Sequence, residues 1–176
     1  NHNISHKLID KVYIDWDTFF KSDEKHKYLF DYEKQDGYFP FKSENAYNRK
    51  RKDLKEFYHV YPLWGRYPKT VDKDTLILFD KLFDLGNILL KSIDKYSPEN
   101  ISSEYSEPLW KMYRKSTQNL MRVIHYPPIL DSDHPEEIRA GEHTDINLIT
   151  LLVSGTEPGL QVKNKNKDWI NIKSKK

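Results

Sequence analysis

The chain has 176 residues, no cysteine, and a formal net charge of +2 at pH 7 from 29 basic and 27 acidic residues. That length suits one domain with a real core, and the lack of thiols excludes disulfides, thiolate metal sites and cysteine nucleophiles, as suits a reducing cytoplasm. Near-balanced charge gives no reason to expect nucleic acid or an acidic membrane surface as partner, and no apolar run approaches the roughly 20 residues of a membrane span.

In chain order, Asn1 to Ser22 reads as an amphipathic helix that Asn3 or Ser5 can cap. Leu8, Val12, Trp16, Phe19 and Phe20 fall on one face, a stripe that reads as core rather than ligand site. Ser22 to Tyr38 is polar, and Asp36-Gly37-Tyr38-Phe39-Pro40 reads as a turn. Asn48 to Glu56 is the dense basic cluster. With Tyr47, Phe57 and Tyr58 as stacking platforms it could contact phosphates, but Asp53 and Glu56 offset its charge, and a solvated loop is the favoured reading.

Tyr61 to Lys69 carries two prolines and a glycine and reads as an ordered loop. The longest helix is expected over Asp72 to Lys95, with Leu76, Phe79, Leu82, Phe83, Leu89, Leu90 and Ile93 as its apolar face. Gly86 costs that helix about 1 kcal/mol of propensity and marks close packing on the sheet. Ser97-Pro98 ends it, and a short helix follows around Glu104 to Tyr113. From Asn119 the period changes: Leu120 to Tyr126 is a strand stopped by Pro127-Pro128, and Asp131 to Glu142 is a loop. Asn147 to Val153 reads as a buried strand, and Leu160 to Lys163 and Trp169 to Ile172 as shorter ones. Helices first and strands after give an α+β chain, divided into a helical part over 1–118 and strands over 119–176.

Just ahead of the apolar run stand His143 and Asp145. Two positions apart on an extended segment, their side chains leave one face of the backbone, and an imidazole with a carboxylate supplies two ligands of a non-haem iron(II) site. Spacing alone leaves the commoner reading open, a hydrogen-bonded sheet histidine. His134-Pro135-Glu136 has the same form in a Pro- and Asp-rich loop and reads as solvated.

Several elements together resemble the iron(II)- and 2-oxoglutarate-dependent oxygenases of the isopenicillin N synthase-like group. Asn1-His2-Asn3-Ile4 resembles the "NHGI" that enters the family's first long helix. Asp36-Gly37-Tyr38 and Asp53-Leu54-Lys55-Glu56-Phe57 resemble its "GY" and "D-x-KE-x-F" elements. Arg122 to Pro128 is similar to its "R-x-x-x-Y-P" strand, His143-Thr144-Asp145 to its ligand pair, and Pro158 to Val162 with Trp169 to its "GLQV…W" hairpin.

The resemblance implies a double-stranded β-helix, a jelly-roll (cupin-like) core with long helices packed on one sheet. It implies iron(II) held by His143 and Asp145, with Tyr126 near the co-substrate's far carboxylate or the substrate. The implied activity is a dioxygenase that uses O2 and 2-oxoglutarate, with ascorbate as a possible reductant, to oxidise a small-molecule substrate. A non-catalytic binding or scaffold domain of the same fold is the rival. Ile124 departs from the Asn that many plant members carry. The family's third ligand, a distal His followed by R-x-S, has no counterpart up to Lys176, so the expectation is a piece of a longer protein. His2, His6, His26, His59 and His125 are poor substitutes; His125 is expected to face opposite to Tyr126.

Overall fold

The aromatic stripe of the first helix dictates the architecture. In the computed structural model, which describes residues 2–44, 51–130 and 137–173, α1 spans His6–Lys21 and buries Val12, Trp16, Phe19 and Phe20. Ser5 stands at its N-terminal cap without a side-chain bond. Trp16 and Phe19 meet Tyr58 of β2 (Glu56–Val60) with ring centroids 5.0 and 5.6 Å apart. The Trp16 indole N–H needs an acceptor once buried, and Thr75 of α2 (Asp74–Tyr96) supplies it at 2.9 Å.

β2 is the centre of a three-stranded antiparallel sheet between β1 (Gly37–Phe39) and β3 (Met121–His125). The register pairs Tyr38 with Tyr58 and Tyr58 with Val123, and Phe39 with Phe57 and Phe57 with Ile124. Side chains alternate across a sheet. One face (Tyr38, Tyr58, Val60, Met121, Val123) therefore packs under α1, and the other carries Phe39, Phe57, His59, Arg122 and Ile124.

The expected turn at Asp36–Pro40 is instead strand β1. The turn lies earlier, where the Asp31 carboxylate accepts the Glu33 and Lys34 amides at 3.0 and 2.8 Å. Gly37 is required at the strand's start: φ is +97°, and a Cβ would stand 2.5 Å from the Tyr28 carbonyl oxygen. The solvated-loop reading of the basic cluster fails over its second half, where Asp53, Leu54, Lys55 and Glu56 are all buried, while Arg51 is half-buried and Lys52 is exposed. Buried charges survive when paired, and these are. Asn48, Arg49 and Lys50 lie outside the described residues, as does the stretch from Asp131 to Glu136.

In α2 the buried line is Thr75, Leu78, Gly86, Asn87 and Leu90. It is narrower than the expected face, and Leu89 and Ile93 are exposed. Gly86 packs not on the sheet but on α4 (Leu109–Lys115), where a Cβ would meet the Tyr113 hydroxyl at 2.7 Å. The Asp94 carboxylate accepts the Leu109 and Trp110 amides at 3.0 and 3.3 Å and so starts α4. A separate turn of helix, α3, covers Glu99–Ser102, and the helix expected around Glu104 to Tyr113 begins only at Leu109, as α4.

The chain forms two compact units, Asn1–Thr144 and Asp145–Lys176, so β3 goes with the first unit whereas the sequence division falls at 118/119. The second unit holds a hairpin of β4 (Gln161–Lys163) and β5 (Trp169–Asn171), joined by a turn in which Asn164 and Asp168 exchange bonds. The expected buried strand over Asn147 to Val153 is absent. Leu148 and Leu152 are 54% and 67% exposed. Local bonds replace a ladder: Asn147 Nδ2 of the side chain donates to the Ile149 carbonyl oxygen at 2.7 Å and to the Thr150 hydroxyl at 2.9 Å. Among the described residues no helix is long and apolar enough to cross a membrane.

Candidate functional site

The sheet face turned away from α1 collects charge. His59 is buried, with Nδ1 2.8 Å from the Gln35 carbonyl oxygen and Nε2 2.9 Å from Arg122 Nε. A guanidinium only donates, so Nε2 accepts and Nδ1 carries the proton. Burial, aided by the Arg122 charge and opposed by Gln35 and Glu44, brings the His59 pKa down to about 4. Both ring nitrogens are engaged, which removes His59 as a metal ligand in this state. Arg122 also lies over the Phe57 ring at 4.5 Å and reaches Glu44 at 3.5 Å.

Next along this face, Lys55 Nζ bridges Glu44 at 2.9 Å and Asp53 at 3.1 Å. Burial disfavours its charge, but the two carboxylates more than offset this and hold the ammonium above its usual range. Glu44 is likewise held below the ordinary carboxylate range, since Lys55 and Arg122 outweigh its own burial. Tyr126 shares the parity of Arg122 and Ile124. Burial pushes its phenol up, opposed by the nearby Lys55, Arg122 and Arg139 charges.

The segment leading to His143 is tied to the approach to β2. The Leu54 amide donates to the Ile138 carbonyl at 2.9 Å, and the Gly141 amide donates to Asp53 Oδ1 at 3.1 Å. The Gly141 carbonyl then faces His143 Nδ1 at 2.8 Å. A carbonyl only accepts, so Nδ1 bears the proton and Nε2 is the basic nitrogen. That is the tautomer in which metal-bound histidines are held by a backbone carbonyl, and His143 fits a metal ligand. Asp145 belongs to the second unit, where its carboxylate accepts the Thr150 hydroxyl. Among the described residues no group of three His, Asp or Glu side chains converges as a metal site.

His125 lies on the helix side, as expected from its alternation with Tyr126. It stacks on Phe20 with ring centroids 5.3 Å apart and meets Glu56 Oε1 at 2.7 Å. Glu56 also accepts from Tyr38 at 2.5 Å and Lys25 at 2.9 Å. Burial would raise its pKa, but the three donors bring it down to about 2. An open depression of about 450 Å³ beside this cluster is lined by Tyr38, Glu56, Phe41 and Pro127 among others. Sequence reasoning missed the set of Glu44, Asp53, Lys55, His59 and Arg122. The signal was present in the "D-x-KE-x-F" element, whose alternating charges only make sense buried if they pair.

Residues 117–176 match the model of the 2OG-Fe(II) oxygenase superfamily. The chain is 36% identical over 75 residues to gibberellin 2-beta-dioxygenase 3 of Arabidopsis thaliana, a match that takes in 42% of this chain and 22% of that protein. A solved protein of Shewanella oneidensis assigned as an oxygenase superposes with a TM-score of 0.84 at 40% identity, over 99% of this chain and 62% of that one. A full-length Neurospora crassa protein solved in complex with alpha-KG shares the fold, with a TM-score of 0.72 at 24% identity over 97% and 57% of the two chains. The chain thus spans less than two thirds of each of these proteins.

Proposed function

We propose, from the match of residues 117–176 to the 2OG-Fe(II) oxygenase superfamily model and the likeness to the Shewanella oneidensis oxygenase, that the protein containing this chain is an iron(II)- and 2-oxoglutarate-dependent dioxygenase acting on a small-molecule substrate. His143 and Asp145 supply two of the iron ligands, and Tyr126 stands at the co-substrate. The core of the whole protein is a double-stranded β-helix, with residues 119–176 contributing to its opening strands and the helices of 1–118 packing on the sheet that β1 and β2 share with β3. The observation that carries this reading is the His143-Thr144-Asp145 motif inside the family match, with the His143 tautomer already set by Gly141.

Iron(II), bound with 2-oxoglutarate, would activate O2 as the oxidant: one oxygen atom would enter succinate as CO2 is lost, and the other would leave in the oxidised substrate or as water. The chain's own residues do the rest. His143 Nε2 and the Asp145 carboxylate offer a neutral and an anionic donor, a set that suits iron(II). The Tyr126 hydroxyl, kept protonated by the upward push on its pKa, is a hydrogen-bond donor suited to a carboxylate oxygen. Ascorbate serves as external reductant.

The test is succinate release by the full-length protein with iron(II), 2-oxoglutarate, ascorbate and candidate substrates, alongside iron content. Asp145→Ala is expected to abolish stoichiometric iron binding and succinate release while leaving the circular dichroism spectrum intact. Unchanged iron content in that variant would sink the assignment.

A further inference from the structure

We infer that Asp53 is a positioning residue for the metal-ligand segment: acting through Gly141, it sets the tautomer and direction of the His143 imidazole. The purpose of this arrangement rests on the reading of His143 as an iron ligand; its geometry does not.

Asp53 is 3% exposed and sits 88 positions before the residue it grips. Oδ1 accepts the Gly141 amide at 3.1 Å, and Oδ2 meets Lys55 Nζ at 3.1 Å. Lys55 is fixed in turn by Glu44 at 2.9 Å. The carboxylate is thus clamped between a cation and an amide, and cannot swing away without leaving one of them unpaired in a buried setting. A second tie, from the Leu54 amide to the Ile138 carbonyl at 2.9 Å, runs alongside. Gly141 is itself buried, whereas His143 is exposed. One residue is therefore gripped through its N–H and grips the imidazole through its C=O at 2.8 Å.

Only the Gly141 φ and ψ separate the two bonds, so the direction of the Gly141 carbonyl that meets the imidazole follows the Asp53 grip. A buried ion pair is weak evidence for added stability. Holding a ligand-bearing loop gives this pair a function that stability alone does not. The Gly141 carbonyl is the partner one step behind the metal ligand, and loss of such a partner typically changes metal affinity by about 10- to 100-fold; Asp53 acts one step further back, at the lower end of that range.

The experiment compares Asp53→Ala, Asp53→Asn, Lys55→Met and His143→Ala in the full-length protein. Two readouts need no metal: hydrogen exchange at the Gly141 amide, and the ¹⁵N imidazole shifts of His143. Asp53→Ala is expected to speed Gly141 exchange, to mix the His143 tautomers, and to weaken anaerobic iron(II) binding by roughly 10-fold. Asp53→Asn keeps an oxygen acceptor and is expected to hold Gly141 and His143 near the parent. Lys55→Met, which releases one side of the clamp, is expected to fall between. Should Asp53→Ala fail to fold, Lys55→Met against Asp53→Asn gives the same ordering. Unaltered Gly141 exchange and His143 tautomer in Asp53→Ala, or in Lys55→Met where Asp53→Ala does not fold, overturn the inference. Full iron affinity in His143→Ala would overturn the iron reading instead and leave the metal-free readouts standing, so the two failures are distinct.

Discussion

The two units differ in what they do with equally apolar sequence. In the first, Trp16, Phe19, Tyr58 and Leu90 are at most 2% exposed. In the second, no described residue is buried, although Ile146, Leu148, Leu151, Leu152 and Val153 form as apolar a run as the stripe on α1. Burial needs a facing layer as well as an apolar side chain. α1 finds one in β2 and β3; the run after Asp145 finds none among the described residues. Apolar pattern states a demand, and topology decides where it is met.

The sharpest way to probe the packed unit is at its centre. Trp16→Ala removes the ring that touches Phe19, Phe20, Tyr58 and Tyr67, and strips Thr75 of its indole partner. We expect a loss of about 3–5 kcal/mol, read from the urea midpoint at unchanged slope. A loss below about 1 kcal/mol would show that this cluster is not the core.

Acid should act on the same unit through Glu56 and His59. Both have folded pKa values below the unfolded ones, so each contributes stability that is present at higher pH and lost as pH falls. For His59 the loss begins near 6.5 and runs to about 4. For Glu56 it runs from 4.5 to about 2 and amounts to a few kcal/mol at most, since a tenfold change in proton affinity is worth roughly 1.4 kcal/mol. Glu56→Gln should flatten the limb below pH 4.5 and leave the limb above it. Denaturant titrations at stepped pH show this; an unaltered limb below pH 4.5 would mean Glu56 is not the group that titrates there.

Much of the first unit could be read from residues. α1, α2, the ordered loop from Tyr61 and the strand ending before Pro127-Pro128 rest on local periodicity and on breakers, which need no partner. Readings that depend on distant partners did not transfer. Asp36-Gly37-Tyr38 looks like a turn by composition, but β2 lies beside it and recruits it as a strand. Asp53 to Glu56 looks solvated by charge, but Glu44 and Gly141, distant in sequence, pair it. Asn147 to Val153 looks buried, but pairing is a non-local property. In the candidate site, His143 was visible as half of a motif; the Asp53–Gly141 grip behind it spans 88 positions and leaves no local signature.

A milder probe of the packed unit lies at Gly86. A Cβ there would stand 2.7 Å from the Tyr113 hydroxyl, and the ring cannot yield easily because it stacks on Phe83 with centroids 4.5 Å apart. Gly86→Ala gains helix propensity of about 1 kcal/mol but overpacks, at a typical cost of about 1–3 kcal/mol. We expect a net loss on the order of 1 kcal/mol, the difference between these two effects. Combining it with Tyr113→Phe removes the closest atom and should recover most of that loss. A gain in stability for Gly86→Ala alone would mean that α2 and α4 pack less closely here.

The smallest effect is expected in the second unit, at Leu152. In a polypeptide of residues 1–176 its side chain is 67% exposed, so little apolar area leaves water on folding and little is lost on truncation. Leu152→Ala should change stability there by no more than about 0.5 kcal/mol, as at ordinary surface positions. The proposed double-stranded β-helix gives a different expectation for the full-length protein. There Asn147 to Val153 acquires pairing strands, and the same substitution should cost about 2–5 kcal/mol, as at a packed leucine. Paired urea melts of parent and variant at both lengths measure the two values. A core-sized loss in residues 1–176 would erase the contrast between the units. A negligible loss at both lengths would count against the jelly-roll, because a strand inside that core cannot leave its leucine in water.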